Sequence, residues 1–275
     1  MHRWGEGVRE AQPRLQTGAA FHTLSFLNPC GQQLPRPGAG ETKLLMWFGG
    51  VNPENQAGLD LAAVRDQLFD AITKRQCTRS LYDSRAVATD DLGSIEKAAA
   101  LSGARVLIVT DPKKIEEVLE MVVAANTAQV EGPAFRAELK QWLRFSPRRA
   151  VEARDGLYSA CSGNPTLPDW LGRLLFDFVF TAKGENDRYA AWIRSSAGLA
   201  IVVSDANDKP HWVEAGMACQ RFALAATALG IRHAFINQPL EVPEKRLEFG
   251  RWLGDDSLSP DMILRFGHAD PMPWS

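Results

Sequence analysis

The stretch from Asp205 to Gln238 constrains this chain more than any other. Asp208 can accept hydrogen bonds from the first free N–H groups of a helix, and Pro210 suits a first turn, where its missing donor costs nothing. Trp212, Val213, Ala215, Met217, Phe222, Leu224, Ala225, Ala228 and Leu229 then make the helix apolar on most faces. Gly230 supplies a left-handed stop, and Ile231 to Ile236 read as a strand. A helix apolar nearly all round has to be buried, so this one is expected to be the spine of a domain. Its small residues, among them Ala215, Gly216, Ala218 and Ala223, allow a second helix or a flat ligand to come close. Tight core packing is the plainer reading of them.

Around this spine the remaining signals alternate. Apolar residues at helical spacing run through Leu61, Val64, Leu68, Phe69 and Ile72, and a second helix opens at Asp90 or Asp91 with Leu92, Ile95 and Ala99. Ala104 to Thr110 is a buried strand closed by Asp111-Pro112, after which 113–129 and 135–145 return to helical period. Residues 146–169 are rich in Arg, Asp, Gly and Pro and read as one long irregular segment, a length that suits a lid or a binding loop. A short helix at 170–180, a polar stretch at 183–188, a strand at 198–203, a helix at 242–253 and a strand at 262–266 complete the reading. Residues 1–58 form an irregular N-terminal extension in which only Leu44 to Phe48 is strongly apolar. Gly38 to Lys43 has the wrong spacing for a phosphate loop. One compact domain therefore spans 59–275, with four convincing strands and helix predominating.

Composition excludes several functions. A formal charge of −2 over 275 residues provides no basic excess for general nucleic-acid binding. No apolar run reaches the roughly 20 residues that cross a bilayer, and the first residues lack the apolar core of a secretory signal. Cys30, Cys77, Cys161 and Cys219 form no C-x-x-C pair, which suggests reduced thiols in a cytoplasmic protein. The five histidines show no metal-ligand spacing.

Two places carry candidate chemistry. Arg75 and Arg79 sit four apart where a helix gives way to a turn, and two planar guanidinium forks on one side suit a phosphate or a carbonyl edge. A solvated basic helix end is the plainer alternative. Asn237 and Gln238 leave the last inner strand beside Pro239, where their amides can hydrogen-bond a heterocycle or close a turn. No Ser/His/Asp or Cys/His arrangement stands out, and neither Asp155 nor Glu214 is paired for acid–base work. A core of this kind without catalytic side chains is compatible with a cofactor that carries the reaction.

Several segments, taken in order, carry a resemblance. Ile72 to Tyr82 (with Arg75, Gln76 and Arg79), Glu138 to Arg144, Arg154 to Leu157, Trp212 to Gly216, Leu224 to Gly230, Phe235 to Glu241 and Leu264 to Gly267 resemble the FMN-dependent nitroreductase family. More closely, they are similar to its divergent branch of dormancy-associated, single-chain nitroreductase-like proteins. The resemblance implies an α+β three-layer sandwich with a central, mostly antiparallel sheet flanked by helices. It also implies FMN held at a homodimer or pseudo-dimer interface. NAD(P)H would deliver hydride to the flavin, and a nitro-aromatic or quinone-like acceptor would receive it. By position, Arg75, Gln76 and Arg79 would face the FMN phosphate, ribityl and pyrimidine edge, Asn237 and Gln238 would lie along the isoalloxazine ring, and 146–169 would be a lid. The family's Pro-Ser-x-x-Asn-x-Gln-Pro-Trp segment does not follow Ala100, Gln76-Cys77 replace the commoner Arg-Ser pair, and the sequence stops at Trp274-Ser275. The likeness is therefore to a shortened member. A catalytically impaired, flavin-sequestering protein and a remnant that binds no flavin are the alternative readings.

Overall fold

The computed structural model describes residues 67–272. Four strands build its main sheet: β1 (Ala104–Val109), β4 (Gly198–Ser204), β5 (Arg232–Phe235) and β6 (Ser259–Gly267), in the order β1-β4-β6-β5 with every pairing antiparallel. All seven residues of β4 are buried. Alternation along β4 sends Ala200 and Val202 to one face and Leu199, Ile201 and Val203 to the other. Each face therefore needs its own cover of helices.

The first face is covered by α1 (Thr89–Ala99) and by the long helix α7 (Lys209–Ala228). Leu68 and Ala71, at the end of the helical residues 67–71, join the same core together with Ile95, Ala99, Phe222 and Leu224. The second face is covered by α2 (Pro112–Glu131), α6 (Ala182–Arg194), α8 (Gln238–Glu241) and α9 (Pro243–Leu253), through Val118, Val122, Ile193, Leu240 and Phe249. The result is the expected α+β three-layer sandwich. Full burial of a Val, Ile or Leu side chain contributes about 1.5–3 kcal/mol, against about 1–2 kcal/mol for ordering each backbone unit. That narrow margin is why β4 has to use both of its faces.

The spine helix begins and ends as its sequence dictates. The Asp208 carboxylate caps α7 by accepting from His211 N at 3.1 Å, Pro210 lies in the first turn, and Gly230 turns the chain at φ +73° into β5. Its first turns are less buried than the apolar pattern implies, and Trp212 and Val213 are exposed. Trp212 anchors its indole Nε1 on Asn207 Oδ1 at 2.8 Å.

Two segments differ from expectation. The polar residues 183–188 lie inside α6, a regular helix capped by Thr181, whose hydroxyl accepts from Gly184 N. Its polarity reflects an exposed outer face, while Ile193 supplies the buried one. Residues 146–169 are not irregular throughout. They contain α4 (Pro147–Ala153), capped by Ser146, then β3 (Leu157–Tyr158) and a 3₁₀ turn at Ser159–Ser162. β3 runs parallel to β2 (Leu143–Arg144), which follows α3 (Pro133–Trp142). The apolar content of this segment was too sparse to show the period.

Beyond it, α5 (Asp169–Val179) turns Gly172 and Phe176 inward and leaves Trp170, Leu174 and Phe178 exposed in one i, i+4, i+8 stripe. Cys77 and Cys219 are free thiols. No helix among the described residues is long and apolar enough to cross a membrane. The apolar Leu44 to Phe48 and the Gly38 to Lys43 stretch lie outside the described residues.

The Asp208–His211 pair at the start of α7 gives the fold a pH signature. Hydrogen bonding to Asp208 raises the His211 pKa, and hydrogen bonding to His211 lowers that of Asp208. A raised histidine contributes its full stability below the unfolded value of about 6.5 and loses it as pH rises through the folded value. A lowered carboxylate contributes above about 3.9 and loses it as pH falls. The pair should therefore stabilise the chain most between those limits. In thermal melts, His211→Ala should lose most relative to the parent near pH 5.5, and the difference should shrink above pH 7.5.

Candidate functional site

The residues singled out from sequence lie along two seams of the sheet: the extended turn 75–82 and the exit of β5 into α8. The helix ends at Ala71, so Arg75 and Arg79 are not one helical turn apart as expected. Cys77 instead makes a parallel bridge with His233 on the free edge of β5, and Thr78 N donates to His233 O at 2.9 Å. The two arginines consequently face different surroundings. The Arg75 charge acts on His233 and Cys219, on the α7 side of the sheet, and that of Arg79 acts on Tyr189 and Arg265, on the α6 side. His233 is buried with neither ring nitrogen hydrogen-bonded, and burial, helped by Arg75 and Arg232, pushes its pKa down to about 3. It is neutral at physiological pH. Burial likewise pushes the Cys219 thiol up to about 12, so this thiol is inert.

Gln76 is committed to the end of the described chain. Its Nε2 donates to Met272 O at 2.8 Å, and its Oε1 accepts from Met272 N at the same distance. Arg79 N adds a contact of 3.1 Å to the Met272 sulfur. Beside this tie, Thr73, Lys74, Gln76, Thr227, Arg232 and Pro271 line an open cavity of about 340 Å³.

Sequence reasoning missed the residue at the centre of this seam. Arg265 on β6 is fully buried with no carboxylate within 4.0 Å among the described residues. Its Nη2 donates to Thr78 O at 3.1 Å and Ser80 O at 2.8 Å, and its Nη1 to Trp192 O at 3.3 Å. The guanidinium carbon lies 4.0 Å from the centre of the Tyr82 ring and 5.4 Å from that of Trp192. Burial lowers its pKa. The available signal was a charged residue inside the apolar run Met262 to Phe266, on the same strand face as Ile263. Arg75, Arg79 and Arg232 also lack an acidic partner among the described residues. The turn thus carries positive charge that no nearby side chain neutralises.

At the second seam, β5 ends at Phe235, and the chain continues its ladder by other means. Ile236 N donates to Ile263 O at 2.9 Å, and the Asn237 side-chain Oδ1 accepts from Ile263 N at 2.7 Å. Asn237 is thereby fixed as the last rung of the sheet. Gln238 follows at the start of α8, where its Oε1 is buried without a donor. A buried carbonyl left so is costly and suits an incoming N–H group. Tyr189 stands on the α6 side, its phenol pushed up to about 12 by burial and by the charges of Glu185 and Glu241.

The 146–169 segment is pinned at both ends. Arg144, nearly buried, donates to Asp155 Oδ1 at 2.7 Å and to the carbonyls of Gln141 and Leu143. Leu167 N donates to Phe145 O at 3.0 Å, and Asn164 Oδ1 accepts from Arg188 on α6 at 3.2 Å. Asp155 is therefore the counter-ion of a structural arginine. Glu214, the other isolated acid, accepts from Gly103 N at 2.7 Å. Among the described residues no group of three or more His, Cys, Asp and Glu is placed to hold a metal ion.

Gly156 is the tightest point of the segment, with φ +70° and no room for a Cβ beside Trp142 O. Gly156→Ala should detach β3 from β2 while the main sheet stays folded. Limited proteolysis should then cut within 146–169 in the variant and spare it in the parent chain.

No protein-family model matches this sequence, and no curated protein does so either. Among solved structures, the chain is similar to a nitroreductase with bound FMN from Desulfitobacterium hafniense DCB-2, at 20% identity and a TM-score of 0.46, covering 75% of this chain and 91% of that one. It is similar to an FMN-bound nitroreductase from Bacteroides fragilis NCTC 9343, at 19% identity and a TM-score of 0.44, covering 74% and 88%. It is also similar to iodotyrosine deiodinase bound to FMN and 3-iodo-L-tyrosine, at 18% identity and a TM-score of 0.47, covering 76% and 93%. Over about three quarters of its length, then, this chain is similar to solved structures of nitroreductases and of a deiodinase.

Proposed function

We propose that this chain is an FMN-binding, nitroreductase-like oxidoreductase. In this reading NAD(P)H is the reductant, and a nitro-aromatic or quinone-like compound is the acceptor. The observation that carries the reading is the pairing of uncompensated charge with an orphaned acceptor. Arg75 and Arg79 have no acidic partner among the described residues, and the buried Gln238 Oε1 has no donor. A phosphate-bearing, flat heterocycle with its own N–H groups answers both needs. The order of motifs from Ile72 to Gly267 supports the same reading, and the similar solved proteins from D. hafniense and B. fragilis have FMN bound.

Within this reading Arg75 and Arg79 reach FMN from the two sides of the turn, as donors to its phosphate and to its polar edge, and Gln238 accepts from its ring edge. Gln76 and Asn237 are each held by a backbone partner, Met272 at the turn and Ile263 at the exit of β5. Bound FMN would supply the hydride-transfer chemistry. The protein's part is then to bind, orient and exclude water. The pinned 146–169 segment favours a second reading, in which the lid keeps acceptors out and the protein sequesters flavin. Steady NAD(P)H oxidation with a nitro-aromatic acceptor would exclude that alternative.

Replacing Arg75 and Arg79 together by Ala should lower the flavin retained after desalting by about tenfold or more, given about 1.5–3 kcal/mol for each hydrogen bond to a charged group. Unchanged flavin content, read from visible absorption, would remove the assignment.

The same reading includes a homodimer, supported by the exposed stripe of Trp170, Leu174 and Phe178. Asp169 and Asp177 lie on the same helix as Arg173, and Lys140 pairs with Asp177, so the rim carries both signs and suits a second copy related by a two-fold axis. Changing the three stripe residues to Ser should convert a dimer to a monomer in sedimentation. A parent chain that already sediments as a monomer would refute this part.

A further inference from the structure

We propose that Arg265 is the positioning residue of the 75–82 turn, holding the stretch from Thr78 to Tyr82 in the shape that presents Arg79 to an anionic ligand without touching that ligand. The identity of the ligand rests on the flavin reading above.

The geometry is that of a clamp with two jaws. One nitrogen of the guanidinium spans the carbonyls of Thr78 and Ser80 on the turn, and the other reaches the Trp192 carbonyl and, at 3.5 Å, the Ser196 hydroxyl at the end of α6. Tyr82 closes the turn from its far side. Its phenol donates to the same Thr78 carbonyl at 3.0 Å, its ring lies against the guanidinium, and its N–H donates to Ser195 Oγ at 3.1 Å. Ser84 N then donates to Ser195 O at 3.1 Å. Arg265 thus ties the turn to β6 and β6 to the end of α6, Tyr82 N and Ser84 N tie the end of the turn to Ser195 just after α6, and the Tyr82 phenol closes the turn on itself.

A purely packing role does not account for this side chain. Burying a cation costs free energy that an apolar residue avoids, and Ile263, two residues earlier on the same face, is apolar. No carboxylate neutralises Arg265 among the described residues, so it is not half of a structural ion pair. Carbonyl oxygens compensate its two Nη groups and two aromatic faces its plane, while the buried Nε has no partner among the described residues, an arrangement that needs a planar fork of several donors and a stacking surface. Lysine keeps the charge and loses both. The cation also leaves positive potential beneath the turn, where an anionic ligand gains from it.

The test compares the parent chain with Arg265→Lys and Arg265→Met, well below the melting temperature of each. It measures FMN affinity by fluorescence titration and amide hydrogen exchange in the turn and in β4. Both variants should bind FMN about tenfold or more weakly, including Arg265→Lys, which retains the charge. Exchange should quicken at the amides of Thr78, Tyr82 and Ser84 while those of 199–203 keep their protection. A folded variant with the parent's affinity and exchange overturns the proposal. So does faster exchange spread evenly over the turn and β4, the mark of a core residue alone. If the parent chain keeps no FMN, the flavin reading fails, and the exchange pattern by itself decides the role of Arg265. If Arg265→Met does not fold, Arg265→Lys carries the comparison.

Discussion

The two-sided burial of β4 is the constraint on which the architecture depends. A strand with all seven residues buried cannot sit at the margin of a protein. It requires partners on both edges, which β1 and β6 supply, and cover on both faces, which α1 and α7 provide on one side and α2, α6, α8 and α9 on the other. Each candidate functional group is placed by this arrangement. The 75–82 turn runs along the outer edge of β5, and Gln238 stands where β5 gives out. Arg265 reaches the turn because β6 lies inside the sheet.

Pro260 shows how local chemistry adjusts that frame. The pairing of β4 with β6 shifts register between Val202 and Val203, opposite Pro260, which has no N–H to donate. The break falls beyond the reach of β5, whose pairing with β6 covers only residues 264–267 on the β6 side. The paired half of β6 therefore stays regular, and this half holds Leu264, Arg265 and Phe266. The irregularity is confined to the end of the sheet away from Arg265 and the 75–82 turn.

What could be read from the residues followed from strong periodic signals. Asp208, Pro210 and Gly230 marked α7 to within a residue, because caps and stops act locally. The four strands were legible because each is an apolar run ended by a turn. The helix α6 was not, since one buried Ile193 and a polar outer face give little contrast. The relation of Arg75 to Arg79 was misread for a related reason: a helix was extended past Ala71 into a segment whose shape is set by Cys77 pairing with His233, a contact across 156 positions. Arg265 escaped notice because its partners are backbone carbonyls, which have no signature in sequence. The commitments of Gln76 to Met272 and of Asn237 to Ile263 are likewise long-range and invisible before folding.

The bridge between Cys77 and His233 has a second effect. A four-stranded open sheet has two free edges, and an edge strand with unsatisfied N–H and C=O groups is a template for joining another chain. On the β5 side the template is blunted by the 75–82 turn, which occupies both the bridge and the His233 carbonyl. The turn that carries the candidate ligand-binding arginines is thus also a guard against edge-to-edge association. Sequence change there is under two demands at once, and a variant that loosens the turn exposes a sticky edge as well as losing its charge geometry.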